Sequence, residues 1–263
     1  TNGEVRNIRI ELLDKSILNN LKLKFKIKKD NFNLNKISFN FDDLKLNSDQ
    51  IEIIKKKNLF NIKGNLKNKK DKINNDIILL IFEDNLEIFD FSNTKFESTS
   101  EFNFDLSKKF RIKNLKIDTK LNLDELILKN NSNKIKNYIK NYNNLINLKQ
   151  NKLHIEYSKE KVLIDGSSKF YIDENFDNSI NFQIKKIKNK IDFKTLLNLD
   201  KIKFSIEDIA YKKLRNQNAT LQVKGFKNNK KLLFESIDYK EKNNSIVINN
   251  LEINDNKIIN LGK

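Results

Sequence analysis

Apolar and polar residues alternate along most of this chain, and this period of two constrains its fold more than any other feature. Leu21, Leu23, Phe25 and Ile27 are separated by lysines at positions 22, 24 and 26. Successive side chains of a strand point to opposite faces, so such a segment places its apolar residues on one face. The same alternation recurs at residues 37–41, 60–62, 102–106, 121–123, 202–206, 221–223 and 246–248. The sequence therefore predicts a mainly β fold.

The segments between these runs predict how the strands are connected. Clusters of Asn, Asp, Lys and Ser, such as residues 67–71 and 227–230, are typical of turns, because Asn and Asp tolerate the left-handed conformation. The alternation changes phase between Leu34 and Ile37 and again between Phe41 and Leu44, which indicates bulges or short turns. We expect a long antiparallel meandering sheet that curls into an open groove. A compact sandwich is compatible with the same alternation.

One segment has a different period. Ile135, Tyr138, Ile139, Tyr142 and Leu145 recur at three and four residues, as on the apolar stripe of a helix. The sequence therefore predicts an amphipathic helix near 133–148, between β-rich parts at 1–130 and 149–263 of a single elongated segment. The apolar run at residues 77–82 is interpreted as a strand buried on both faces.

The charge of the chain invites a nucleic-acid interpretation. The formal net charge is +17, from 52 Lys and Arg against 35 Asp and Glu. However, the only arginines are Arg6, Arg9, Arg111 and Arg215, whereas nucleic-acid sites favour the planar guanidinium. Lys, Asn, Ile and Phe can all be encoded by A and T alone, so a nucleotide-biased genome explains much of the excess. We expect no specific nucleic-acid partner.

The sequence offers little for catalysis. Cys is absent and His154 is the only histidine, which excludes cysteine catalysis and His-pair metal sites formed within the chain. The five glycines are scattered and form no phosphate-binding loop. We therefore expect no enzyme activity, no catalytic residues, no metal and no cofactor. Because Met is also absent, we expect a processed product or an excised fragment from which any leader or anchor has been removed.

The order of elements from Lys136 to Ile184 resembles a known family. The segment reads KNYIKNYNNLINLKQNKLHIEYSKEKVLIDGSSKFYIDENFDNSINFQI, and flanking lines such as FRIKNLKIDTKLNLDEL are similar in texture. It resembles the middle of AsmA-like proteins of the YhdP and TamB type. This resemblance implies a periplasmic β-groove, anchored in the inner membrane of Gram-negative bacteria by parts outside this chain. It also implies phospholipid acyl chains as cargo on the way to the outer membrane, and an outer-membrane protein as a partner.

Three functions remain open at this stage. The leading hypothesis is a segment of an envelope-spanning lipid-transfer protein whose groove carries acyl chains. The second is a structural or adhesive β-module with a dry core, and the third is a basic nucleic-acid-binding protein. For the first hypothesis, the alternation predicts lipid contacts at Leu23, Phe25, Phe39, Phe41, Phe60, Phe102, Phe104, Leu121, Phe182, Phe204 and Leu221.

Overall fold

The computed structural model describes residues 1–11, 17–41, 44–72, 89–130, 133–140, 142–172, 177–229, 231–254 and 257–262. The fold is mainly β, with 79% strand, and contains one large antiparallel sheet that is not closed. The predicted fold class is thereby confirmed as a mainly β, antiparallel arrangement. The strands are β1 (Asn2–Glu11), β2 (Ile17–Lys28), β3 (Asn31–Phe41), β4 (Leu44–Lys56), β5 (Leu59–Lys72), β6 (Phe89–Asp90), β7 (Lys95–Ser107), β8 (Ile112–Lys129), β9 (Leu145–Ser158), β10 (Lys161–Tyr171), β11 (Asn178–Ile187), β12 (Lys190–Asn198), β13 (Phe204–Ile206), β14 (Tyr211–Lys213), β15 (Ala219–Asn228), β16 (Lys231–Glu241), β17 (Asn244–Asn254) and β18 (Lys257–Leu261).

The sheet is a meander in which strands follow one another almost in chain order. Its order is β1-β2-β3-β4-β5-β7-β8-β9-β10-β11-β12-β15-β16-β17-β18, with β6 paired to β8, while β13 and β14 form a separate hairpin. Two residues connect β2 to β3 and β11 to β12, and the first residue of each turn, Lys29 or Lys188, has a positive φ near 50°. Such turns suit the right-handed twist of the flanking strands.

The chain divides into two compact units. Unit 1 comprises residues 1–72, 95–122 and 154–161, and unit 2 comprises residues 73–94, 123–153 and 162–263. In each unit, the pairing of neighbouring strands determines which side chains share a face of the sheet. Neither unit coincides with the parts 1–130 and 149–263, and the single elongated segment stays a prediction.

The predicted helix near 133–148 is wrong. The described residues contain no α-helix, and this segment forms a short 3-10 turn at Asn133–Asn137 before β9 begins at Leu145. The apolar residues spaced by three and four lie in isolated turns instead. The backbone N–H of Tyr138 donates to the carbonyl of Ile135 at 3.0 Å, and that of Tyr142 donates to the carbonyl of Ile139 at 3.1 Å. Asn, Ile and Tyr are only moderate helix formers, and Asn144, with φ of 68°, turns the chain into the strand.

Three predictions about strand connections have different outcomes. The bulge predicted between Leu34 and Ile37 is confirmed, because Lys36 has a φ of 51° and the β2–β3 register shifts beside it. The turn predicted at 67–71 is wrong, since these residues lie within β5, where a register shift between Asn68 and Asp71 interrupts the pairing with β7. The turn at 227–230 is confirmed as far as Asn229, which has a φ of 50° between β15 and β16. Residues 42–43 and the run 77–82 lie outside the described residues.

Candidate functional site: the apolar sheet face

Cross-strand rows of apolar residues define one face of the sheet in unit 1. Residues directly opposite each other in an antiparallel pair lie on the same face, so the register can be followed from strand to strand. The first row crosses β2, β3, β4, β5 and β7 through Phe25, Leu34, Ile51, Gly64 and Phe102. The second row lies two residues away along each strand and consists of Ile27, Phe32, Ile53, Ile62 and Phe104. We call this surface the apolar face of unit 1.

Unit 2 has an apolar face of the same construction. One row crosses β11, β12, β15, β16 and β17 through Phe182, Thr195, Val223, Ile237 and Ile248. The rows on either side of it are Ile180, Leu197, Leu221, Tyr239 and Ile246, and Ile184, Phe193, Gly225, Phe234 and Leu251. The alternation predicted from the sequence therefore places apolar residues of neighbouring strands in register.

All the predicted lipid-contacting residues are half-buried. Leu23, Phe25, Phe39, Phe41, Phe60, Phe102, Phe104, Leu121, Phe182, Phe204 and Leu221 share this intermediate exposure. Leu121 lies on the same face as Phe102. The reason is that Thr119, two residues before Leu121, donates its hydroxyl at 2.9 Å to that of Ser100, which is two residues before Phe102 on β7. By contrast, the fully buried apolar residues of the described chain are only Ile37, Leu123, Tyr142, Phe170, Ile202 and Ala219. The apolar face is covered incompletely by the described protein.

Phe204 is the one predicted contact residue that does not lie on the large sheet. It begins the separate β13–β14 hairpin, in which Phe204 pairs with Lys213. Its ring centroid lies 5.9 Å from that of Tyr239 on the large sheet, and the Tyr211 ring lies 6.3 Å from Tyr239. Since Tyr239 belongs to an apolar row, the hairpin packs against the apolar face of unit 2. The alternation around Phe204 reflects a short hairpin on that face rather than another strand of the sheet.

A cavity of about 530 Å³ lies beside this hairpin in unit 2. Its volume is within the range of small-molecule sites. The apolar part of its lining includes Ile139, Ile172, Ile202, Phe204 and Tyr211. Basic residues also line it: Lys140, Lys201, Lys203, Lys212 and Arg215. The cavity thus combines apolar and basic surface in one place.

A buried polar cluster anchors the hairpin, and the sequence analysis missed it. Lys213 is fully buried, and its Nζ donates to the backbone carbonyls of Ile202 at 2.9 Å, Leu214 at 3.0 Å and Asp200 at 3.1 Å. These three acceptors satisfy the ammonium group, although burial lowers the pKa of Lys213. A lysine on a three-residue strand carries no pattern that distinguishes it from the surface lysines around it.

The same cluster includes two tyrosines and a carboxylate. The Tyr211 hydroxyl lies 2.8 Å from that of Tyr239 and donates to the carboxylate of Glu241, which is only 6% exposed. Burial, followed by the hydrogen bond to Glu241, raises the pKa of Tyr211 well above its ordinary value. Neutral tyrosines therefore donate to a buried carboxylate in the same unit as Lys213. We interpret this cluster as the anchor of the hairpin.

The opposite face carries hydrogen-bonded polar ladders. In unit 1, the Asn61 amide donates to Asn103 at 2.9 Å and to Asp105 at 3.0 Å, and Asn114 donates to Asp105 at 2.8 Å. These donors, Asn114 first, lower the pKa of Asp105. Lys63 likewise contacts Glu52 at 2.7 Å and is the first cause of the lowered pKa of Glu52. This face is therefore a cross-linked polar surface.

His154, the only histidine, lies on β9 and has a carboxylate partner. Its Nε2 is 2.9 Å from Oδ1 of Asp118 on the neighbouring strand β8. The two residues are 36 positions apart, so only the strand register brings them together. Sequence spacing alone gave no signal for this pair.

Comparison with known proteins gives no identification. No protein-family model, no curated protein and no solved structure matches the chain. The resemblance to AsmA-like proteins therefore stays a prediction. Among the described residues, no helix has the length and apolar character needed to cross a membrane.

Proposed function

We propose that this chain is a segment of an envelope-spanning lipid-transfer protein, in which the sheet curls so that its apolar face forms an open groove for phospholipid acyl chains. The chain performs no chemistry itself. The observation that carries the proposal is the half-buried state of all the predicted contact residues. The AsmA resemblance adds the periplasm as the location, the inner membrane as the anchor point and an outer-membrane protein as the partner.

The physical argument concerns what covers the apolar face. A row such as Phe25, Leu34, Ile51 and Phe102 is apolar across neighbouring strands, yet each of these side chains keeps part of its surface accessible. Contiguous exposed apolar surface is uncommon on soluble monomers and marks sites of ligand, partner or membrane contact. Acyl chains match this surface because they are apolar, flexible and in no need of hydrogen bonds. Their burial on it contributes about 25 cal/mol per Å² of apolar area removed from water.

The lining of the cavity in unit 2 favours a phospholipid over a neutral hydrocarbon as the bound molecule. Ile172 and Phe204 offer apolar contacts, while Lys203 and Lys212 in the same lining bring positive charge. An amphiphile with an anionic headgroup satisfies both kinds of surface at once. The net charge of +17 favours the same headgroup at longer range.

A structural module with a dry core is the second candidate. The observation that favours it is the β13–β14 hairpin, whose Phe204 and Tyr211 rings cover part of the apolar face of unit 2. If further segments cover the face in this way, the apolar rows serve stability alone. The two candidates differ in whether water and lipid reach the rows of unit 1.

The substitution Phe104→Asp separates the two candidates, with Asn103→Asp as its matched control. Phe104 is half-buried on the apolar face, whereas Asn103 is its exposed neighbour on the polar face. In an open groove the new carboxylate stays hydrated, so we expect Phe104→Asp to lower the unfolding free energy by about 1 kcal/mol while phospholipid transfer between vesicles stops. A dry core predicts a loss of about 3 kcal/mol or more.

Urea denaturation and a vesicle transfer assay provide the two measurements. Asn103→Asp keeps an acceptor for Asn61, so we expect it to preserve both stability and transfer. A large loss of stability for Phe104→Asp, in a wild type that transfers no lipid, would overturn the proposed function.

A further inference from the structure

We propose that Asp118, His154 and Glu156 form a binding site for a divalent transition-metal ion on the polar face of unit 1. The three side chains lie on the adjacent strands β8 and β9. Their ligand atoms, one imidazole nitrogen and two carboxylate oxygens, all lie within 4.8 Å of one another. This site is independent of the apolar face and of the lipid function.

The geometry of the pair already present suits a metal. Nε2 of His154 and Oδ1 of Asp118 are 2.9 Å apart. Two donors that are each about 2.1 Å from one zinc ion lie roughly 3.0 to 3.4 Å from each other. The three-ligand set is therefore complete when Nε2 of His154 and Oδ1 of Asp118 move slightly apart and the Glu156 side chain rotates toward them. The remaining positions of the ion are left for water.

The strands hold the ligands in place. His154 and Glu156 are two residues apart on β9, so they point to the same face. Asp118 reaches them from β8, and the antiparallel sheet fixes the spacing of the two strands near 4.8 Å. Ligands on strands are positioned more accurately than ligands on loops.

Charged residues of both signs surround the site. Asp118 and Glu156 line a shallow cavity of about 780 Å³ in unit 1. Its lining contains the carboxylates Glu52, Glu101, Asp118 and Glu156, and the lysines Lys63, Lys116 and Lys161. On a chain with a net charge of +17, this cavity is a place where carboxylates outnumber lysines.

The donor set selects the class of ion. Imidazole suits zinc, copper and nickel, whereas magnesium and calcium prefer oxygen ligands alone. His154 is the only histidine, so a single site per chain is expected. We expect Zn²⁺ to bind at one ion per chain, and Ca²⁺ at equal concentration to leave His154 unaffected.

The test uses the full chain and Zn²⁺ itself. Because His154 is unique, its imidazole gives one resolved set of proton signals in an NMR titration, and calorimetry supplies the affinity. We expect saturable shifts of these signals in the wild type. His154→Ala should abolish calorimetric binding, and Asp118→Asn and Glu156→Gln should each weaken it by at least about tenfold.

Glu101→Gln is the matched control, since Glu101 lines the same cavity outside the three-ligand set. We expect it to bind Zn²⁺ as the wild type does. Equal weakening by Glu101→Gln and Glu156→Gln would mean that only the general charge of the cavity attracts the ion. That result, zinc binding that survives His154→Ala, or unshifted imidazole signals in the wild type would each overturn the proposal.

Discussion

At the scale of single residues, the glycines show how the sheet accommodates its phenylalanines. Gly3 is the register partner of Phe25, Gly64 of Phe102 and Gly225 of Phe193. A Cβ on Gly166 would lie 2.2 Å from Cζ of Phe182, so this ring also lies over a glycine. None of the described glycines has a positive φ. At Gly3, Gly166 and Gly225 a Cβ would meet the ring of Phe25, Phe182 or Phe193, so these glycines leave space for a ring rather than supply backbone freedom. Their scattered positions in the sequence did not reveal this.

The surroundings of the glycines predict that substitution by alanine lowers the unfolding free energy by different amounts at different positions. At Gly225, a new Cβ would lie 2.1 Å from the backbone oxygen of Leu233, which the ladder holds in place. At Gly166, the clash is with the far end of the Phe182 ring, which can rotate away. We expect Gly225→Ala to cost about 2 kcal/mol of unfolding free energy and Gly166→Ala less than about 1 kcal/mol. Urea denaturation measures both, and an equal cost would contradict this account.

At the scale of elements, the alternation predicted the strands well because it is a local property. A period of two directly reports which residues share a face, and the shift from Leu34 to Ile37 even predicted the bulge at Lys36. The prediction of a helix was wrong because a period near 3.6 over a few Asn-rich residues also arises from isolated turns. The position of Phe204 in a separate hairpin could not be predicted, because strand alternation does not indicate which sheet a strand joins. The Asp118–His154 pair depends on register between distant segments, and Lys213 is held by backbone carbonyls; a local sequence pattern contains neither kind of information.

An ion-pair cluster in unit 2 predicts a pH dependence. Asp177 contacts Nζ of Lys169 on β10 at 2.9 Å and Nζ of Lys201 at 3.1 Å. Lys169 first, and then Lys201, lower the pKa of Asp177 to about 2. Because this pKa is below the unfolded value of about 3.9, the cluster stabilises the fold fully above that value. The contribution is lost as the pH falls through about 2.

We therefore expect Asp177→Asn to be less stable than the wild type at pH 7 and equally stable near the lowered pKa of about 2. Urea denaturation across this range measures the difference. Lys169→Met is the matched variant, because it removes the first of the two partners, and the same trend at smaller size is expected. A stability difference that does not change with pH would contradict the assignment.

At the scale of the whole molecule, the central question is what covers the apolar rows. Each unit, taken by itself, has an apolar face, and few apolar residues of the described chain are fully buried. The lysines that raise the net charge to +17 alternate along strands with apolar residues, as at Lys22, Lys24 and Lys26 of β2. Such a distribution favours weak, salt-sensitive contact with polyanions over a specific nucleic-acid site, and this stays a prediction.

Site-specific photo-crosslinking to phospholipid tests the central claim most directly. A photoreactive side chain replaces either Phe102, on the apolar face, or Asn103, the next residue on the polar face. Phospholipid should crosslink from position 102 and not from position 103, and Phe104→Asp should remove the product because acyl chains cannot solvate a carboxylate. Crosslinking that is absent from position 102, or equal from both positions, would contradict the account.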